Sequence, residues 1–137
     1  MAAKKKAAGP LDGVRVLDFS MFLAGPYAGR LLADHGADVI KIEPPGGETI
    51  RGAHPVVDGK SRYFAQLNAG KRCIVLDLKS EEGTAAIKKL IMDTDVVVEN
   101  FRPGVLDRLG LGFETLSAIN PRLIYCAISG YGPTGPN

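Results

Sequence analysis

The apolar positions of this chain fall into short runs. Four of them are rich in β-branched residues: VRVLDF (Val14 to Phe19), DVIKIE (Asp38 to Glu43), CIVLDL (Cys73 to Leu78) and DVVVEN (Asp95 to Asn100). A fifth, RLIYCAIS, runs from Arg122 to Ser129. Their near-continuous apolar character predicts strands covered on both faces, as in a parallel sheet. Helical patterns lie between them. Pro26 suits a first helical residue, YAGRLLADH follows, and Gly36 stands where a carboxyl-terminal cap belongs. Ser80 is placed to cap a second helix, with Glu81 and Glu82 in its first turn and Lys88 and Lys89 late, matching the helix dipole. Ile87, Leu90 and Ile91 give that helix one apolar face. Strand, helix, strand with short links predicts βαβ crossovers and an α/β sheet.

Two segments interrupt the alternation. PPGGETIRGAHPVVDG, from Pro44 to Gly59, reads as a loop by its Pro and Gly content and is longer than most connections. After the fifth run the chain stops in ISGYGPTGPN, a Gly/Pro-rich loop with no further element, which reads as a domain cut short.

Composition narrows the class. A chain of 137 residues, 45% hydrophobic and 23% charged, can hold a globular core. No run approaches the ~18 consecutive apolar residues that a membrane span needs. The formal charge of +2 is local, since three of the seventeen basic residues are Lys4, Lys5 and Lys6; the other fourteen face fifteen acidic ones. Residues 1–9 therefore read as a flexible basic tail, and dispersed charge elsewhere excludes a nucleic-acid footprint. Cys73 and Cys126 sit singly in strand-like runs, which predicts buried, reduced thiols in a cytoplasmic protein and neither zinc nor a disulfide framework. His35 and His54 have no partner at metal-ligand spacing.

In open α/β sheets ligands bind beyond the carboxyl ends of the strands. The candidate positions are therefore Ser20 to Gly25, Glu43 onward, Leu78 and Lys79, Asn100 to Arg102, and Ser129 to Gly132, with no comparable clusters expected at the opposite ends. A strand that empties into Asn100, Phe101 and Arg102 delivers an amide, an aromatic face and a guanidinium to one rim. Such a trio suits a nucleotide-like ligand. Equally, Arg102 can pair with Glu99 or solvent while Pro103 and Gly104 start a turn, and the residues alone leave both readings open. Gly25 and Gly29 mark a close backbone approach, to a ligand or to a packed helix. Glu43 follows Gly25 at the distance where a dinucleotide fold places its ribose-binding acid, the basis of a nicotinamide-dependent oxidoreductase reading. Lys71 and Arg72, before the third strand, either guide phosphates or edge the strand in water. No nucleophile elbow or paired carboxylates mark a catalytic group.

The ordered blocks PLDGVRVLDFS, LAGPYAGRLLADHGADVIKIEPPGGE, YFAQLNAGKRCIVLDLKSEEG, DVVVENFRPGVLDRLGLGFETL and INPRLIYCAISGYGPTGP resemble the amino-terminal part of the class III CoA-transferases, the CaiB/BaiF family, from about Pro10 to Asn137. The resemblance implies that residues 10–137 are the amino-terminal part of a Rossmann-like large domain that binds coenzyme A, truncated here, with the rest of it and a small domain absent. It implies an interlocked homodimer for the full-length chain, and transfer of CoA between carboxylic acids through an aspartyl-CoA thioester. Acyl-CoA and a carboxylic acid would be the substrates, without a metal. Carried over residue by residue, the CoA contacts fall on Leu23, Ala24, Leu76, Asp77, Leu78, Lys79, Asn100, Phe101, Arg102 and Arg108. No catalytic residue is implied within this chain, since the family's aspartate lies beyond Asn137. Met21 and Leu23 stand where oxalate- and formate-using members carry His and Gln, which argues against those substrates. ENFRPG and LNAGKR are closer to the transferases than to the α-methylacyl-CoA racemases of the same family. A freestanding nucleotide- or CoA-binding module is the non-catalytic alternative.

Overall fold

A computed structural model describes residues 9–132 and 134. The expected basic tail, all but residue 9, and most of the terminal GPTGPN lie outside the described residues. A five-stranded parallel sheet forms the centre: β1 (Arg15–Asp18), β2 (Asp38–Glu43), β5 (Arg72–Val75), β6 (Val96–Glu99) and β7 (Ile124–Ala127). Its strand order is β5-β2-β1-β6-β7, so the chain reverses its direction of travel between β1 and β6. That order is the doubly wound one, with a topological switch point between those strands.

The connections supply two helical layers. α1 (Ala24–Asp34) and α2 (Arg62–Asn68) pack together, while α3 (Glu81–Ile91) packs with α5 (Phe113–Ile119), and α4 (Val105–Arg108) joins β6 to α5. The larger core lies under α3, α4 and α5, where Leu17, Phe19, Ile40, Ile42 and Val97 meet Ile87, Ile91, Leu106 and Leu116. On the other face Val16, Val39 and Val98 meet Ala33 and Ala37.

The helix boundaries follow the chemistry that the sequence announced, with one shift. α1 begins at Ala24, so Pro26 is its third residue, still within the first turn where its missing N–H costs no hydrogen bond. It ends at Gly36, whose φ of +104° lets its N–H reach Ala33 while Ala37 N–H reaches Leu32. Only glycine adopts that left-handed turn without strain, and the two bonds close the helix. Ser80 caps α3 by accepting from Gly83 N–H at 3.0 Å. Ile87 and Ile91 are fully buried. α2 is a helix the sequence reading did not anticipate; Ser61 caps it by accepting from Phe64 N–H at 3.0 Å. The loop from Pro44 to Gly59 holds a 3-10 turn (Thr49–Gly52) and the first strand of a small hairpin, β3 (Val56–Val57) with β4 (Lys60–Ser61).

Two expectations need correction. Cys73 and Cys126 are exposed rather than buried. The cause is the position of their strands: β5 and β7 flank the sheet, and only Ile74 and Tyr125 turn inward to the larger core. The opposite faces of these strands are uncovered among the described residues, leaving Val75 and Ile124 exposed as well. Cover on both faces therefore holds for β1, β2 and β6 alone.

Candidate functional site: the carboxyl edge of the sheet

The turn after β1 leaves the sheet at the switch point, and buried side chains fix its backbone. Asp18 Oδ1 accepts from Ser20 N–H at 2.9 Å and from the Ser20 hydroxyl. Lys41 Nζ donates to Ser20 O at 2.7 Å. Asn100 Oδ1 accepts from Met21 N–H and its Nδ2 donates to Met21 O, both at 2.8 Å. Glu48 Oε1 accepts from Phe22 N–H at 2.6 Å, at a residue whose φ is +67°. α1 then starts against this turn. A side-chain carbon at Gly25 would collide with Ser20, and one at Gly29 would come within 2.6 Å of Asp18 Oδ2. Both glycines serve close helix packing.

Beneath the turn lies a layer of buried charge. Asp18 and Lys41 sit on the α1 face of β1 and β2, next to the apolar core residues Val16 and Val39, and Glu43 follows Lys41 on that same face. Lys71 Nζ meets Asp18 Oδ2 at 2.6 Å, with both side chains wholly buried, and also donates to Pro26 O and Asn68 Oδ1 at 2.7 and 2.8 Å. Burial pushes the Lys71 pKa down, and Asp18 opposes it. Lys41 Nζ lies 2.7 Å from Glu48 Oε2, which receives no aligned hydrogen bond, so charge alone holds that oxygen. Arg51 grips Glu43 through two bonds of 2.6 Å and lies over the Phe64 ring at 3.9 Å. Burial would raise the Glu43 pKa. The hydrogen bonds from Arg51, Glu48 N–H and Cys73 outweigh it and hold the carboxyl at about 2.

Three sequence expectations change accordingly. Glu43 is an ion-paired scaffold residue, with its carboxylate oxygens already engaged by Arg51 and Glu48, so it does not present the free acid that a ribose hydroxyl needs. Lys71 neither guides phosphates nor edges a strand in water, and Arg72 is bound bidentately by Asp38 at 2.9 and 2.6 Å. The opposite end of the sheet does carry a charged cluster, since Asp38 also faces Arg15 at 3.5 Å and Asp95 accepts from Arg15 N–H at 2.9 Å. It is exposed and self-paired.

Open space at the carboxyl edge divides around Phe101. On one side is a slot of about 190 Å³ lined by Phe19, Met21, Ile42, Leu76, Leu78 and Leu109, with Lys79 also on its wall. On the other is an open crevice of about 470 Å³ between Ala24, Asn100, Arg102, Ser129 and Gly130. Phe101 lines both. Of the ten residues expected to contact CoA, Leu76, Asp77, Leu78, Lys79 and Phe101 thus surround the slot, while Ala24, Asn100, Phe101 and Arg102 surround the crevice. Leu23 caps α1 at the crevice side and is exposed. Arg108 lines neither space; its guanidinium lies beside Gly104 at the start of α4.

Arg102 does not pair with Glu99, whose Oε2 accepts from Phe101 N–H at 2.7 Å. Pro103 and Gly104 do start a turn, closed by Val105 N–H to Arg102 O at 3.1 Å. Among the described residues Lys79, Arg102 and Arg108 have no carboxylate partner. A third cavity of about 260 Å³ lies behind Phe101, between Glu99, Arg102, Asp107, Phe113 and Tyr125. Burial pushes the Glu99 carboxyl up, against the Phe101 N–H and with the help of Asp107. Burial, then Glu99 and Asp107, pushes the Tyr125 hydroxyl up.

The buried pairs escaped the sequence reading, although a signal was present. Asp18 and Lys41 are charges inside apolar runs, and such positions almost never stay buried without a partner.

Residues 11–137 match the family described as CoA-transferase family III. The chain belongs to that family. Over 130 residues it is 51% identical to succinyl-CoA–D-citramalate CoA-transferase of Chloroflexus aurantiacus, with 93% of this chain and 32% of that one covered. It is 50% identical over 132 residues to acetyl-CoA:oxalate CoA-transferase of Acetobacter aceti, covering 96% of this chain and 34% of the other. A solved CaiB/BaiF family protein of Brucella suis superposes with a TM-score of 0.89 at 48% identity, over 94% of this chain and 35% of that one. This family III chain thus spans about a third of the length of the relatives it matches. An oxalate-using transferase is among them, so overall similarity does not carry the distinction drawn from Met21 and Leu23.

Proposed function

We propose that residues 10–137 form the CoA-binding amino-terminal part of an acyl-CoA:carboxylate CoA-transferase. The observation that carries this reading is Phe101, standing between an apolar slot and a wider, more open crevice that has Asn100 and Arg102 on its walls, at the switch point of a family III chain. The base of coenzyme A enters the slot among Leu76, Leu78 and Phe101. Lys79, Arg102 and Arg108 supply the cations for its phosphates. The pantetheine arm crosses the crevice past Ala24 and Gly130, with Asn100 in its wall, Leu23 exposed beside it and Asp77 at the slot. CoA is here a substrate and not a resident group.

The reacting carboxylate belongs to an aspartate beyond Asn137, in the part of the large domain and the small domain that the relatives' greater length accommodates. That aspartate attacks the acyl-CoA carbonyl and expels the CoA thiolate, leaving a mixed anhydride. The thiolate then attacks the aspartyl carbonyl, forming the enzyme thioester and releasing the first carboxylate. Covalent catalysis splits the exchange into easier steps. The transferase reading is preferred to a racemase because the relatives just described are named as transferases. The full-length protein acts as an interlocked cytoplasmic homodimer without a metal.

Calorimetric titration with CoA tests the reading on the protein as its gene encodes it. Saturable binding is expected, weakened roughly tenfold by Phe101→Ala, the loss of one base–aromatic stack. NADH binding that CoA does not displace would overturn it.

A further inference from the structure

The residues that hold the first turn lie at a boundary. Met21 lines the slot and Ala24 lines the crevice, so the three-residue step between them sets how the two spaces are spaced and aimed. Side chains from outside the turn grip that step at Met21 and Phe22. Asn100 uses both ends of its amide on Met21, and Glu48 receives Phe22 N–H at 2.6 Å. Phe22 is one of the two described non-glycine residues with positive φ, a conformation that persists only where its surroundings enforce it.

Glu48 is itself fixed from two directions. Lys41 holds Oε2 at 2.7 Å, with both side chains about 1% exposed, and Glu43 accepts Glu48 N–H at 3.0 Å. Arg51 fixes Glu43 in turn. An exposed carboxylate would suffice to accept one backbone hydrogen bond. Burying an acid and a lysine to do it is costly, and the return is rigidity.

We infer that Glu48, locked by Lys41, is a positioning residue that holds the Phe22 backbone so that the slot and the crevice accept one long ligand together. Asn100 completes the clamp from β6. The inference rests on the CoA reading for the identity of that ligand. Glu48 touches no ligand; it acts through Phe22.

The test compares two double variants in the protein as its gene encodes it, Lys41→Met with Glu48→Gln, and Lys41→Met with Glu48→Ala. Both lack the charge pair, and only the first keeps a carbonyl for Phe22 N–H. The probes are CoA, whose base and pantetheine arm together span both spaces, and adenosine 3′,5′-bisphosphate, which lacks the arm that crosses the crevice. The expected result is that the Ala variant binds CoA roughly tenfold more weakly than the Gln variant, about the worth of one buried hydrogen bond. The bisphosphate should bind the two variants equally. Equal CoA binding by the two variants overturns the inference. So does an equal loss for both probes, which marks general loss of structure. If the parent protein binds neither probe, the CoA reading fails on its own. Deuterium exchange of residues 19–24 then decides: faster exchange in the Ala variant than in the Gln variant, with β1 unchanged, supports the clamp, and equal exchange overturns it.

Discussion

On the β1–β2 side of the switch point Asp18, Lys41, Glu43, Glu48 and Lys71 are buried and each has an opposite charge within 2.7 Å. Across it, after β6, Arg102 and Arg108 stand exposed, without a carboxylate partner among the described residues, and Glu99 is buried with only a backbone N–H on one oxygen. Both groups sit at the same edge of one sheet. A charge whose partner is built in serves shape, because its free energy is already committed. A cation left in water keeps its interaction for whatever arrives. The contrast sorts a rim of charged residues into scaffold and recognition without reference to any ligand.

Removing one partner on the paired side should have the largest effect. Asp18→Asn strands a wholly buried ammonium and is expected to cost about 3–5 kcal/mol in urea unfolding. Adding Lys71→Met should recover most of that loss. If Asp18→Asn costs less than about 1 kcal/mol, the pair is not part of the scaffold.

The same side should show itself in acid. Glu43 has its folded pKa lowered to about 2 from 4.5, so its contribution is complete above about 4.5 and is lost as pH falls toward 2. Screening at the half-exposed Arg51 limits that contribution to about 1–2 kcal/mol. Arg51→Ala should therefore flatten the loss of stability between pH 5 and pH 2; an unchanged acid limb would break the assignment.

Across the switch point the pattern reverses. Arg102→Ala and Arg108→Ala should leave the thermal midpoint within about 2 °C while weakening CoA roughly tenfold each, the scale of one charge-assisted hydrogen bond. A large fall in the midpoint would mean that these arginines are scaffold after all.

The smallest effect concerns Glu99. Its raised pKa means that the folded state holds the proton more tightly than the unfolded one, so stability declines as pH rises through that range. Glu99→Gln keeps an acceptor for Phe101 N–H and should raise the melting temperature slightly at pH 8, with the gain shrinking toward pH 4. A gain that is independent of pH would show that titration is not its source.

Much of this architecture is legible in the chain. DVIKIE is β2 residue for residue, and the cap at Ser80 and the turn at Gly36 lie where local chemistry places them. Local signals fail where the partner is remote. Cys73 reads as core from its neighbours, yet β5 flanks the sheet, and flank position depends on strand order. Lys71 looks like a solvent cation until α1 and β1 close over it, from residues 53 positions away in the case of Asp18. RYFAQLN carries no strong period in seven residues, and α2 forms because Ser61 caps it and α1 packs against it.

The sequence by itself determined the alternation of the sheet strands with α1 and α3, the cap at Ser80 and the turn at Gly36, because each of these follows from hydrogen-bonding and burial preferences within a few residues. It also carried the family, through ordered blocks. Only the tertiary structure decided which rim charges are spent on one another and which remain available. Pairing at 2.6 to 2.7 Å is set by the strand order that brings β1, β2 and the segments after them together, and no local spacing encodes that meeting.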